Sequence, residues 1–91
     1  MRKEVFEKKA ASMEDFIIYY QKPGDENAKI ILSTVVSYNL DNDYIQARLR
    51  NSEVYNDKAV LWNWTANRRL VVDYSRIKKL IPLASVLKNH R

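Results

Sequence analysis

Short runs rich in apolar residues recur along the chain between polar segments, and one of them alternates apolar and polar side chains at every second position, which is the pattern of a β-strand with one buried face. The alternation is cleanest in a strand predicted over Asp43–Arg50. There Ile45, Ala47 and Leu49 point one way and polar residues point the other. Runs rich in β-branched and aromatic residues predict further strands over Phe16–Tyr20, Lys29–Tyr38, Ala59–Trp64 and Arg68–Asp73.

The last two of these strands are expected to form a β-hairpin. Only Thr65–Asn67 separates Ala59–Trp64 from Arg68–Asp73, and so short a connection favours antiparallel pairing. Directly after the hairpin, Tyr74–Lys79 predicts a turn of 3₁₀ helix, which an apolar Leu80-Ile81 pair follows.

Short helices are predicted at both ends of the chain. In the first, Phe6 and Ala10 are four residues apart and therefore share one side. The second begins at Pro82, a residue suited to a first helical turn, and Leu83 and Leu87 share one of its faces. Both helices are short, so we expect them to pack against the strands.

Together these elements predict a mainly β protein. Four to six short strands at close spacing most economically form a small, strongly bent antiparallel sheet, and closing that sheet into a barrel removes its edges. We expect a single domain, with an N-terminal helix over residues 1–13, a barrel over 16–81 and a C-terminal helix and tail over 82–91.

The composition argues against most enzyme classes. None of the 91 residues is cysteine, and the chain has one glycine, Gly24, and one histidine, His90. Phosphate-binding loops need several glycines, and a catalytic triad or zinc site needs a well-supported imidazole. We therefore expect no enzyme, no cofactor and no metal site, and the lack of cysteine predicts a cytoplasmic address. No apolar run approaches the ~18 residues of a membrane span.

The order of the segments resembles the small SH3-like barrels of two families. One is the Sm-like group, in which an N-terminal helix precedes bent strands, and Val71–Ile77 resembles its closing segment. The other is the WYL domain of bacterial and phage regulators, whose namesake triplet falls on Asp43-Tyr44-Ile45 and whose terminal Arg-Ile falls on Arg76-Ile77. The resemblance implies an SH3-like, Sm-type barrel that binds a ligand or nucleic acid.

The charge balance favours acidic partners. Sixteen Lys and Arg residues against eleven Asp and Glu residues give a net charge of +5, which promotes nucleic-acid binding through counterion release. The first candidate surface is the polar side of the predicted third strand, because arginine binds phosphates and tyrosine stacks on bases. The same composition is also typical of a solvated strand face. This surface comprises Tyr44, Gln46, Arg48 and Arg50.

A second candidate is the tryptophan pair. Trp62 and Trp64 share a face by the strand period and lie beside Arg68 and Arg69. Exposed, they provide a binding site for bases or for a protein partner; buried, they fill the core. Because Asn63 points the opposite way and is a poor core residue, we interpret the tryptophan side as the packed one, with at least one tryptophan in the core and the other partly exposed.

A basic cluster after the hairpin is the third candidate. Arg76, Lys78 and Lys79 are suited to contacting a phosphate backbone, although ordinary solvated turns carry the same charges.

These candidates predict a non-enzymatic, regulatory binding module. It contacts RNA, single-stranded DNA or a nucleotide ligand, with phosphates on Arg48, Arg50, Arg69 and Arg76 and bases stacked on Tyr44 and one tryptophan. The alternative is a protein–protein interaction module or small inhibitor, encoded by a phage or mobile element, that binds a host protein. A homo-oligomeric assembly component is a third hypothesis, and no membrane partner is expected.

Overall fold

The strand and helix patterns of the sequence reappear in the structure with small shifts of their ends. The computed structural model describes residues 1–38 and 55–88, so the predicted strand Asp43–Arg50 lies outside the described residues. The mainly β fold with a short helix towards each end is confirmed. In chain order the elements are helix α1 (Lys3–Ser12), strands β1 (Asp15–Gln21), β2 (Ile31–Ser37), β3 (Lys58–Asn63) and β4 (Arg68–Asp73), a 3₁₀ turn (Tyr74–Arg76), strand β5 (Ile77–Pro82) and helix α2 (Leu83–Lys88).

The described strands form one antiparallel sheet in the order β4-β3-β2-β1-β5. The predicted hairpin is confirmed, since β3 and β4 pair along their whole length. The predicted closure into a barrel is not seen within residues 1–38 and 55–88. There β4 pairs with β3 and β5 pairs with β1, so these two strands lie at opposite edges of an open sheet.

Strand β5 was not predicted from the sequence. The 3₁₀ turn ends at Arg76, and Ile77 begins a strand that pairs antiparallel with β1. The local sequence, with two adjacent lysines, does not alternate like a half-buried strand, and the ladder carries a register shift between Tyr19 and Tyr20. Pairing with β1 and burial of Ile77 set the conformation here, because strand preference depends strongly on such tertiary context.

The register divides the sheet into two faces, since side chains alternate along a strand and directly opposed partners share a face. We call the face that carries Phe16 and Ile18 the core face. Helix α1 covers it, and the ring of Phe6, fully buried, makes an edge-to-face contact with Phe16 at a centroid distance of 6.4 Å. The other large, fully buried side chains that pack in this cluster are Val36, Leu61 and Ile77. We call the opposite side of the sheet the outer face.

The connection between β1 and β2 is fixed by a turn. Gly24, the chain's one glycine, has φ +84°, a left-handed conformation that side chains disfavour. The Asp25 carboxylate accepts a hydrogen bond from the Ile30 backbone N–H at 2.7 Å. From the 3₁₀ turn before β5, the Arg76 guanidinium donates a hydrogen bond to the Lys22 carbonyl at 3.3 Å. The loop is therefore held by its own polar groups and by Arg76.

Candidate functional site

The two tryptophans of the chain stand together on the outer face. Trp62 is near the end of β3 and Trp64 directly follows it, and their rings meet edge to face at 6.4 Å with an interplanar angle of 78°. The predicted shared face is therefore confirmed. Trp64 is 48% exposed and Trp62 is half-buried, and neither belongs to the hydrophobic core.

The interpretation that the tryptophan side is the packed side is wrong. The other side of β3 faces the core, where Leu61 is fully buried. Asn63 tolerates that side because its carbonyl oxygen accepts hydrogen bonds from the Thr34 hydroxyl at 2.8 Å and from the Ala66 N–H at 3.2 Å. A polar residue at a strand end satisfies its hydrogen bonds without occupying the centre of the core.

Trp64 is held in place by β1 and β2. Its backbone N–H donates to the Val35 carbonyl at 3.0 Å, which continues the pairing of β2 with β3 by one residue. Its indole N–H donates to the Asp15 carboxylate at 3.2 Å. Because its backbone N–H and its indole N–H are both hydrogen-bonded, Trp64 has few alternative positions, and its ring offers a preorganised flat surface.

Arg69 is the basic residue that the structure places beside the tryptophans. It is the direct cross-strand partner of Trp62, and directly opposed side chains have Cβ atoms about 5 Å apart. Arg69 is exposed and has no ion-pair partner among the described residues. We call the group of Asp15, Trp62, Trp64 and Arg69 the tryptophan patch.

Arg68 does not join this patch. One residue from Arg69, it lies on the opposite side of β4, opposite Asn63. Burial raises the pKa of the Tyr20 phenol, and the nearby positive charge of Arg68 partly offsets this rise. The adjacent residues Arg68 and Arg69 therefore lie on opposite faces of the sheet.

The three residues of the predicted basic cluster after the hairpin also differ in their surroundings. Arg76 is half-buried and donates hydrogen bonds to the Asp73 carboxylate, at 3.2 Å, and to the Lys22 carbonyl of the β1–β2 loop. Lys79 lies on the outer face opposite Tyr19, with its ammonium 4.8 Å from the centre of the phenol ring. Lys78 is exposed next to the irregularity in the β1–β5 ladder. Arg76 thus stabilises the fold, while Lys79 shares the face of the tryptophan patch.

Tyr44, Arg48 and Arg50, the candidates of the predicted third strand, lie outside the described residues. Asp15 was missed by the sequence analysis. It is 47 residues before Trp62, and only the register of three strands brings the two together. No local motif in the sequence carries that information.

A groove borders the patch on its β1 side. It has a volume of about 550 Å³ and lies between the end of α1 and helix α2. Met13, Leu83 and Leu87 give it apolar walls, and Glu14 and Asp15 give it two carboxylates. Asp15 therefore belongs both to the groove and to the tryptophan patch.

Comparisons of the chain with protein-family models, with curated proteins and with solved structures found no match. The resemblance to Sm-like proteins and WYL domains stays a prediction. Among residues 1–38 and 55–88, no helix is long and apolar enough to cross a membrane.

Proposed function

We propose that this chain is a non-enzymatic module that binds single-stranded nucleic acid on the tryptophan patch. The observation that carries the proposal is the position of Trp62 and Trp64, which lie outside the core, next to an arginine without an acidic partner in the described part of the chain. Large aromatic side chains are usually recruited to the core of a small domain, and exposed ones are typical of binding surfaces.

Stacking on the tryptophans supplies the first part of the affinity. Each base that stacks on an aromatic side chain contributes about 1–3 kcal/mol, with little preference for sequence. The half-exposed ring of Trp64 offers such a surface, and its two hydrogen bonds reduce the conformational entropy lost on binding.

Phosphate contacts supply the second part. Arg69 is close enough to Trp62 to bind the phosphate of a nucleotide whose base lies on the tryptophans, and a guanidinium binds phosphate through two hydrogen bonds.

Farther along the outer face, Tyr19 and Lys79 form a second aromatic and basic pair. Tyr19 is four residues from Asp15 along β1, roughly 13 Å at the usual strand rise. A strand of several nucleotides is long enough to reach both pairs.

The proposal is tested by fluorescence anisotropy of the full chain with labelled mixed-sequence RNA and DNA of about twelve nucleotides at low salt. We expect saturable binding that Arg69→Gln weakens and Arg68→Gln leaves nearly unchanged, since the two variants lose the same charge from opposite faces. An equal effect of both variants indicates non-specific attraction, and the lack of binding to either oligonucleotide at tens of micromolar rejects the proposal.

A protein partner is the second candidate, and one observation favours it. Ile30 and Ile31 are 46% and 45% exposed side by side at the start of β2. Adjacent exposed isoleucines are suited to a protein interface. Capture of a host protein from nuclease-treated lysate, lost in Ile30→Ser/Ile31→Ser and retained in Trp64→Ala, supports this role and places its site away from the tryptophans.

A further inference from the structure

We propose that Asp15 makes the tryptophan patch selective for guanine. This inference rests on the proposed binding of single-stranded nucleic acid and names the base that the patch prefers. Its structural basis is a row of directly paired residues across four strands, in which Arg69 pairs with Trp62, Trp62 with Ser37, and Ser37 with Asp15.

The row is polarised from one end to the other. At the usual strand spacing its Cα atoms span roughly 14 Å, with a guanidinium at the β4 end and a carboxylate at the β1 end. Between them lie Trp62 and Ser37, whose small side chain is almost fully buried. A phosphate is attracted by Arg69 and repelled by Asp15, so the charges orient a nucleotide with its base towards β1.

A carboxylate selects bases by their hydrogen-bond donors, because an ionised carboxylate only accepts. The pairing edge of guanine carries two adjacent donors, N1–H and the 2-amino group. Adenine and cytosine each place an acceptor nitrogen beside their amino group, and uracil places a carbonyl on both sides of its single N–H. Guanine is the one common base that meets both oxygens of Asp15 without a repulsive contact.

Asp15 has the capacity for this contact. A carboxylate offers about four acceptor positions, and the Trp64 indole occupies one of them on one oxygen. The structure gives the other oxygen no partner among the described residues. The apolar walls of the adjoining groove, formed by Met13, Leu83 and Leu87, provide a surface for the purine ring.

The same chemistry argues against a cationic ligand. Two perpendicular indole rings beside a carboxylate are also suited to a methylated lysine or an arginine from a protein. However, Arg69 lies opposite Trp62 and repels a cation at that position. A guanine base is neutral, and the phosphate attached to it is attracted by Arg69.

The test uses anisotropy at low salt with short uridine oligonucleotides that carry one central guanosine, adenosine, cytidine or inosine. We expect the guanosine oligonucleotide to bind at least about fivefold more tightly than all-uridine RNA, as a two-point base contact provides. Inosine lacks the 2-amino group, so its oligonucleotide should fall between the two.

The matched variants are Asp15→Asn and Glu26→Gln. In Asp15→Asn the amide oxygen of the new side chain still accepts from the Trp64 indole, but its amino group faces the donors of guanine. The guanosine preference should therefore vanish while binding to all-uridine RNA is retained. Glu26 is exposed in the β1–β2 loop and its loss changes the net charge equally, so Glu26→Gln should keep the preference. A thermal melt of each variant confirms that it is folded.

The remaining outcomes contradict the proposal in distinguishable ways. Equal affinity for all oligonucleotides, with binding still weakened by Trp62→Ala, overturns the guanine preference and leaves the proposed function standing. No binding to any oligonucleotide overturns both. Competition by a trimethyl-lysine peptide that depends on Asp15 overturns the guanine preference in favour of a cation site.

Discussion

The two faces of the sheet are built from the same strands and both carry large aromatic side chains, yet those side chains differ in burial. On the core face, the rings of Phe6 and Phe16 pack under α1 and are fully buried. On the outer face, Val60 is fully buried, but Trp62 and Trp64 meet edge to face and remain partly exposed. Residue type therefore does not decide which face becomes the core. Helix α1 lies on the core face, where Phe6 packs against Phe16.

A second comparison lies within the outer face, between the two ends of the β3–β4 hairpin. At one end Lys58 and Arg76 both donate to the Asp73 carboxylate, at 2.8 and 3.2 Å. At the other end Arg69 stands beside Trp62 without an acidic partner in the described part of the chain. Lys58 and Arg76 therefore form ion pairs that stabilise the fold, whereas Arg69 is available to a ligand.

The largest expected effect is on the core face. Phe6→Ala should lower the free energy of unfolding by about 3–5 kcal/mol, since it removes a buried ring and leaves a cavity. Urea denaturation followed by circular dichroism measures this loss. The contrasting variant is Trp64→Ala, which we expect to cost far less because the ring is half exposed. A similar loss in both variants contradicts the division between the buried core face and the exposed tryptophan patch.

The next effect concerns affinity. Trp62→Ala or Trp64→Ala should weaken binding to single-stranded RNA by about 5- to 150-fold, which corresponds to 1–3 kcal/mol of base stacking. Anisotropy titrations at fixed low salt give the ratio. Val71→Ala, at an exposed position on the same face of the hairpin, is the control and should leave the affinity close to that of the unchanged chain. If the control weakens binding as much as the tryptophan variants, the tryptophans are not the platform.

Arg69 and Arg76, at the two ends of the hairpin, should differ in their effects on salt dependence and on stability. Arg69→Gln should reduce the slope of log affinity against log salt by about 0.7, the value for one phosphate contact on a single strand. Arg76→Gln should leave that slope unchanged and instead lower thermal stability, because it removes bonds to Asp73 and to the β1–β2 loop. Titrations at several salt concentrations, together with thermal melts, separate the two effects, and an exchange of the two results reverses our assignment.

The smallest effect is a pH dependence at the ion-paired end. Hydrogen bonding, first from Lys58 and then from Arg76, lowers the pKa of the Asp73 carboxyl below its ordinary value of 3.8. A carboxyl with a depressed pKa in the folded state stabilises the fold fully above its ordinary value, and this stabilisation is lost as the pH falls through the depressed value.

The stability difference between the unchanged chain and Asp73→Asn should therefore be constant near neutral pH and shrink below pH 3.8. It should be small, since ion pairs that remain partly accessible to solvent contribute little. Urea denaturation across the acid range measures it, with Glu14→Gln as the exposed control. A difference that grows as the pH falls contradicts the assigned direction of the shift.

Local chemistry made part of the fold predictable. The β3–β4 hairpin was predictable because Thr65–Asn67 is too short for any other connection between the strands. Helix α1 was predictable from the spacing of Phe6 and Ala10. Strand β5 was not, because pairing with β1 rather than its own composition makes Ile77–Pro82 extended.

The candidate site was predictable only in its parts. The period of two correctly placed Trp62 and Trp64 on one face, but alternation alone does not tell which face is buried. The polar side chain of Asn63 led to the wrong prediction of the packed side, because the hydrogen bonds that it accepts from Thr34 and Ala66 depend on tertiary structure. Asp15 joins the patch through long-range register, for which a single sequence has no signal.

The proposed function requires that nucleic-acid bases stack on Trp62 and Trp64. Both tryptophans of the chain lie in the patch, so intrinsic tryptophan fluorescence reports on this site alone. Titration with single-stranded RNA at low salt should quench the emission in a saturable way and with the same dissociation constant as the anisotropy change, and added salt should restore it. Emission that stays unchanged while anisotropy shows the RNA to be fully bound would place the binding surface elsewhere and contradict the account.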